Sequence, residues 1–112
     1  MFETNSYGSN GTITLSKSAA NFKYLEIYFN DNNECGCGYT KVFSPNGKQV
    51  QLFLIEPASG NVTYFRRTSY LISEKTITPN VDVAGYTKIT NGTAAHTTGT
   101  NYIRITRVIG KR

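Results

Sequence analysis

Short segments in which apolar and polar residues alternate run along most of this chain. In residues 22–29, Leu25, Ile27 and Phe29 alternate with the polar or amphipathic Tyr24, Glu26 and Tyr28. A period of two is typical of a β-strand that buries one face and exposes the other. The pattern therefore predicts an all-β fold.

The C-terminal segment, residues 100–110, shows the same alternation. It places Ile103, Ile105 and, beyond Arg107, Ile109 on one face of a strand. We expect this strand to tuck the C-terminus into a sheet, with the isoleucines in the core. An aspartate at position 105 should then prevent folding, because it would bury a charge that has no partner.

Turn residues separate further short strands. Pro45-Asn46-Gly47 has the composition of a tight turn, which predicts a hairpin between residues 38–44 and 49–55. Residues 91–100 show no periodicity and are interpreted as a long exposed loop. Residues 16–21 could hold one helical turn. The remaining predicted strands are residues 12–16, 61–67, 70–72, 75–78 and 86–90, with a turn at residues 78–80.

Strands of this number and spacing predict two antiparallel sheets in a jelly-roll-like sandwich, or a small barrel. The chain has 112 residues, which is enough for one core. We therefore expect residues 1–112 to form a single β domain. No apolar run is long enough to span a membrane, and no signal-peptide pattern is present.

The net charge is +5, which permits an acidic partner such as nucleic acid or an anionic cell-surface polymer. The cations are nevertheless scattered, and only Arg66-Arg67 and Lys111-Arg112 are adjacent. A scattered excess of this size is typical of a soluble surface, so a nucleic-acid partner is not the favoured interpretation.

Residues that could carry metal or redox chemistry are few. Cys35 and Cys37 are too close in sequence for an unstrained disulfide, and with the distant His96 they supply fewer than four zinc ligands. We interpret both cysteines as free thiols in a loop, and we expect no metal and no cofactor.

Catalytic patterns are also missing from the sequence. A serine or cysteine triad needs a base, and the single histidine, His96, falls in the expected loop. A glycoside hydrolase would need two carboxylates facing each other, yet only Glu26 lies in a predicted strand. The sequence therefore predicts a binding or structural protein rather than an enzyme.

The order and spacing of several motifs resemble a known family. The motifs are residues 9–29, then Ser44-Pro45-Asn46-Gly47-Lys48 within residues 42–48, and then residues 101–110. Together they resemble the C-terminal module of tail-fibre and minor structural proteins from prophages of Gram-positive gut bacteria. The resemblance spans almost the whole chain but supplies no catalytic or ligand-binding residues.

The resemblance implies a non-enzymatic distal domain of a phage tail fibre, assembled in the bacterial cytoplasm and carried at the tail tip of the virion. Its implied partners are the rest of the fibre, two further copies in a homotrimer, and the host cell surface. We expect it to recognise cell-surface saccharide or to serve as a structural tip. The alternative is a small basic barrel that binds single-stranded nucleic acid through converging cations and aromatic residues.

Ligand recognition is expected in loops held by the rigid sheets. Residues 30–38 and 91–100 are the two candidate loops. Tyrosine can stack on a sugar ring, while carboxylate, amide and imidazole groups can bond its hydroxyls. The candidate ligand-binding residues are Asp31, Asn32, Asn33, Tyr39, Tyr86 and His96.

Overall fold

The computed structural model describes residues 2–3, 11–31, 37–58, 60–99 and 102–112. The described residues form one 3-10 turn, Ala19–Asn21, within the segment where a helical turn was expected. All other regular structure among them is β-strand. The strands are β1 (Phe2–Glu3), β2 (Ile13–Thr14), β3 (Tyr24–Asp31), β4 (Cys37–Phe43), β5 (Gln49–Ala58), β6 (Val62–Ser73), β7 (Thr76–Thr90), β8 (Thr93–Thr98) and β9 (Ile103–Lys111).

These strands make two antiparallel sheets, which confirms the expected all-β fold with two antiparallel sheets. Sheet A has the strand order β1-β9-β3-β4. Sheet B has the order β2-β7-β6-β5, and β8 pairs with the C-terminal half of β7. One of the two sheets is curled into a half-barrel. We call the face of each sheet that is turned toward the other its inner face.

The core lies between the two inner faces. Leu25, Ile27 and Phe29 of β3 are buried there, as their alternation predicted. Each fully buried side chain of this size contributes about 1.5–3 kcal/mol to folding. The Tyr70 hydroxyl donates to the carbonyl oxygen of Ile103 across the core at 3.3 Å. Burial raises the pKa of Tyr70 above its usual range, so this donor stays protonated.

The C-terminal strand is present, but the expected face of its last residues is wrong. Thr106 is an extra residue in β9, because Phe29 pairs with Ile105 and Tyr28 pairs with Arg107. The Thr106 hydroxyl donates to the carbonyl oxygen of Tyr28 at 3.2 Å. This β-bulge exchanges the two faces of the strand beyond it. Val108 is consequently buried in the core, and Ile109 is partly exposed on the outer face.

The expected hairpin at Pro45-Asn46-Gly47 is also wrong. β4 pairs with β3 in sheet A, whereas β5 pairs with β6 in sheet B. The turn passes the chain from one sheet to the other because it bonds to β6. The amide of Gly47 donates to the carbonyl oxygen of Ile72 at 2.7 Å. The amide of Ile72 in turn donates to the carbonyl oxygen of Lys48 at 2.8 Å.

Sheet B has fewer and longer strands than expected. Residues 61–67 and 70–72 belong to one strand, and so do residues 75–78 and 86–90. The expected turn at residues 78–80 lies within β7. The next three residues, 81–83, are inserted between the residues of β7 that pair with Ser69 and Thr68, and they shift the register of β7 against β6.

Residues 91–100 were expected to be a loop, but most of them form β8. Asn91 and Gly92 make the turn between β7 and β8, with φ angles of 50° and 84°. Positive φ at both central residues is the requirement of a two-residue type I′ hairpin, for which Asn-Gly is a favoured pair.

Candidate binding site

The outer face of sheet A carries a compact set of aromatic and charged side chains. Its central strand is β3, with β4 on one side and β9 on the other. Directly paired residues of antiparallel strands share a face, so the register fixes three rows across this surface. We call this set the platform. Its first row is Phe43, Tyr24 and Lys111, and its second row is Lys41, Glu26 and Ile109. Its third row is Tyr39, Tyr28 and Arg107.

Aromatic pairs cross between β3 and β4 on the platform. The Tyr28 and Tyr39 ring centroids are 4.9 Å apart, and those of Tyr24 and Phe43 are 5.2 Å apart. Tyr39 is 44% exposed and Phe43 is 53% exposed. These rings therefore pack on each other and still present area to solvent, as a stacking surface requires.

Cations surround these rings. The Lys41 ammonium lies 5.1 Å from the centre of the Tyr24 ring, and the Arg107 guanidinium lies 5.8 Å from that of Tyr28. Both distances are within the range of a cation–π interaction. The two cations come from β4 and β9, which are far apart in sequence and meet only because both pair with β3.

Glu26 lies at the middle of the platform and orients its neighbours. It accepts a hydrogen bond of 2.5 Å from the Tyr39 hydroxyl, and its other carboxylate oxygen is 3.8 Å from the Lys111 ammonium. The hydrogen bond to Glu26 raises the pKa of Tyr39 to about 12. The Tyr39 hydroxyl therefore remains a donor throughout the physiological pH range.

An open depression of about 530 Å³ lies beside the Tyr28–Tyr39 pair of the platform. Its volume falls within the range of small-molecule sites. Gly38 cannot be replaced by a larger residue without rearrangement, since a Cβ there would clash with the buried Phe29 ring on the inner face. Its lining residues are Tyr28, Phe29, Asn30, Cys37, Gly38, Tyr39 and Thr106.

Two of the candidate ligand-binding residues belong to a second aromatic cluster. Arg66 of β6 is 6% exposed, and its Nε lies 3.1 Å from Glu56 and 3.9 Å from Asp31. Tyr86 packs beside it, with its ring centre 5.9 Å from the Arg66 guanidinium. We call this set the Arg66 cluster; it comprises Arg66, Asp31, Glu56, Tyr64, Tyr86 and Tyr102.

The structure does not bring the candidate residues into one site. Tyr39 is on the outer face of sheet A, whereas Tyr86 is on the inner face of sheet B. The Asp31 side chain is fully buried beside Arg66. His96 is exposed on the outer face of sheet B, where its Nδ1 lies 2.8 Å from the Thr87 hydroxyl. Asn32 and Asn33 lie outside the described residues.

Sequence reasoning missed most of the platform. The alternation of Tyr24, Glu26 and Tyr28 indicated a shared face, and the spacing of Tyr39, Lys41 and Phe43 carries the same signal, which sequence reasoning did not use. What placed the two sets side by side was the pairing register of β3 with β4, which single-strand periodicity does not contain.

The comparisons add no relative. No protein-family model, curated protein or solved structure matches the chain. Within the described residues, no helix is both long and apolar enough to cross a bilayer. The same residues contain no cluster of three or more His, Cys, Asp or Glu side chains that could hold a metal ion.

Proposed function

We propose that this chain is a non-enzymatic binding module, the distal domain of a phage tail fibre, and that its platform binds host cell-surface saccharide. The observation that carries this proposal is the Tyr28–Tyr39 pair, with ring centres 4.9 Å apart, beside the open depression. The prophage-like motifs of the sequence supply the biological setting.

The chemistry of the platform suits a sugar polymer. An exposed tyrosine ring stacks on the apolar face of a sugar, and nearby polar groups bond its hydroxyls. Tyr39 provides the ring, while Glu26, which is hydrogen-bonded to Tyr39, and Asn30, which lines the same depression as Tyr39, provide polar groups. A flat, open surface admits a repeating chain that a closed pocket would exclude.

Weak binding at one platform would be multiplied by further copies. We therefore include in the proposal that the domain is a trimer-forming, jelly-roll-like head at the tail tip, with several platforms that engage the same polymer. With several platforms on one assembly, a modest affinity at each platform is sufficient.

The proposal is tested by the binding of purified cell-wall polysaccharide from Gram-positive gut bacteria to wild-type protein and variants, measured by calorimetry. Tyr39→Ala should weaken binding about tenfold, equivalent to about 1.4 kcal/mol, because it removes the exposed ring. Tyr39→Phe keeps the ring and should retain more of the affinity.

Tyr86→Ala serves as the comparison, because Tyr86 lies in the Arg66 cluster rather than on the platform. We expect it to lower the melting temperature and to leave binding unchanged. Polysaccharide binding that is lost in Tyr86→Ala and retained in Tyr39→Ala would move the site to the Arg66 cluster. No binding of any wall or capsule polysaccharide by the wild-type protein would contradict the proposed function.

A specific observation also favours single-stranded nucleic acid as a second candidate ligand. Lys41, Arg107 and Lys111 converge on the face that carries the exposed aromatic rings. Cations and stacking rings on one face are the usual means of binding a single strand.

The two ligands differ in their response to salt. Binding of single-stranded nucleic acid should weaken steeply with salt concentration, and Arg107→Gln should reduce that slope by about 0.7. Binding of a neutral polysaccharide should depend little on salt. Tight, salt-dependent binding of an oligonucleotide without polysaccharide binding would favour the second candidate.

A further inference from the structure

The outer face of sheet B presents large apolar side chains to solvent. Phe53 is 63% exposed and Ile55 is 60% exposed, both on β5. Phe65 on β6 is 37% exposed and pairs directly with Ile55. Opposed side chains of paired strands lie in contact, so these residues form one continuous patch. We call this set, Phe53, Ile55 and Phe65, the apolar patch.

The sheet face around the apolar patch is nearly free of charge. Arg67 is the only Lys, Arg, Asp or Glu on the outer face of β5, β6, β8 and residues 85–90 of β7, all within the described residues. Its guanidinium is already bonded to the Thr87 hydroxyl at 3.0 Å. Depletion of charge with retained aromatic residues is typical of the centre of a protein interface.

The charge distribution also indicates which partner fits. The chain carries a net charge of +5, so two copies repel each other wherever their cations meet. The platform, with Lys41, Arg107 and Lys111, is therefore a poor contact between copies. The apolar patch is suited to such a contact, because its face brings at most one cation from each copy.

The edge of sheet B leads to the same partner. β5 pairs only with β6 among the described strands, and its ten residues contain no lysine or arginine. Proteins usually protect a bare edge strand with lysine, proline or a bulge. Here Pro57 comes near the end, and the preceding residues are mostly apolar or uncharged. A second copy would cover both the patch and the edge.

The size of the face is adequate for this contact. The four strand segments of this face, β5, β6, β8 and residues 85–90 of β7, lie about 4.8 Å apart and rise about 3.3 Å per residue, so together they project an area of roughly 500 Å². Corrugation by side chains makes the accessible area larger than the projection. A standard interface buries about 800 Å² on each partner.

We infer that the outer face of sheet B, centred on Phe53, Ile55 and Phe65, is the surface through which this chain binds further copies of itself. This inference deepens the self-assembly part of the proposed function and does not depend on which ligand the platform binds. It leaves the platforms on the outside of the assembly.

The test measures molar mass against concentration by sedimentation velocity, for the full chain and two variants. Wild-type protein should be larger than a monomer at about 100 µM, and the double variant Phe53→Glu with Ile55→Glu should be monomeric. Phe43→Glu is the matched control, because Phe43 is 53% exposed on the other sheet. It should associate as the wild type does.

Circular dichroism of each variant shows whether it is folded. If the Phe53→Glu, Ile55→Glu variant is unfolded, the milder double variant Phe53→Ser with Ile55→Thr replaces it. The milder variant should raise the dissociation constant for self-association at least about tenfold. A wild-type chain that remains monomeric at about 100 µM, or a folded patch variant that associates like the wild type, would overturn the inference. The two proposals fail separately, because polysaccharide binding by a monomeric protein would support the proposed ligand whether or not the self-association surface is correct.

Discussion

At the scale of single residues, Glu26 determines how the platform is organised. Its carboxylate bonds the Tyr39 hydroxyl and lies near Lys111, so one residue orients an aromatic ring and a cation. The alternation of β3 predicted that Glu26 would lie with Tyr24 and Tyr28 on the face opposite the core. The tyrosine partner was not predicted, because it depends on the register between two strands.

The first prediction concerns the titration of Tyr39. Its pKa in the folded protein is about 12, above the ordinary value of 10.0. The stabilisation from the hydrogen bond is therefore fully present below pH 10 and is lost as the pH rises through about 12. The ultraviolet difference between wild type and Tyr39→Phe isolates this transition, and Glu26→Gln should lower its midpoint toward 10. A midpoint that does not move in Glu26→Gln would show that Glu26 is not the cause.

The second prediction concerns Arg66. Arg66→Met should lower the free energy of unfolding by about 3 kcal/mol, because it removes a cation from beside the fully buried Asp31 carboxylate. Glu56→Gln removes the partner that is 26% exposed and should cost less than about 1 kcal/mol. Urea unfolding measures both. Equal costs for the two variants would contradict the structural role given to the Asp31–Arg66 pair.

At the scale of elements, most β-strands were predictable, but β8 and the pairing of the strands were not. The alternation of β3 follows from its own residues, and so does that of β9 up to the bulge at Thr106. The transfer of the chain between sheets at residues 44–48 depends on bonds to Ile72, far away in sequence. Asn91-Gly92 did carry a local hairpin signal, which the low periodicity of the following residues concealed.

The β-bulge at Thr106 gives the third prediction. Val108→Ala should lower the free energy of unfolding by about 2 kcal/mol, because Val108 is fully buried. Ile109→Ala should cost less than about 1 kcal/mol, since Ile109 lies on the platform. Denaturant unfolding of the two variants compares them directly. A larger cost at Ile109 than at Val108 would show an unbroken alternation and no bulge.

At the scale of the whole molecule, the two outer faces have different properties. The outer face of sheet A has exposed rings among cations, and that of sheet B has exposed apolar residues with a single cation. The sequence alone showed that the chain has scattered positive charges and many tyrosines. The separation onto two faces arises because β4 and β9 both flank β3, which only the folded topology establishes.

The different faces fit the proposed tail-fibre head. Copies would join through sheet B and present their platforms outward to a polymer on the host surface. The binding residues would then be supplied by the rigid strands β3, β4 and β9. Of the expected site, Tyr39 lies on the platform, and Tyr86 and Asp31 lie in the Arg66 cluster.

The most direct test of the central claim is to map the ligand contact by nuclear magnetic resonance. Purified host cell-wall polysaccharide is titrated into isotope-labelled protein, and the change in each backbone amide shift is recorded. We predict that the largest changes lie on β3, β4 and β9 around Tyr28, Tyr39 and Arg107. Changes centred instead on Tyr64, Tyr86 and Tyr102, or no changes at saturating polysaccharide, would contradict the claim that the platform is the binding surface.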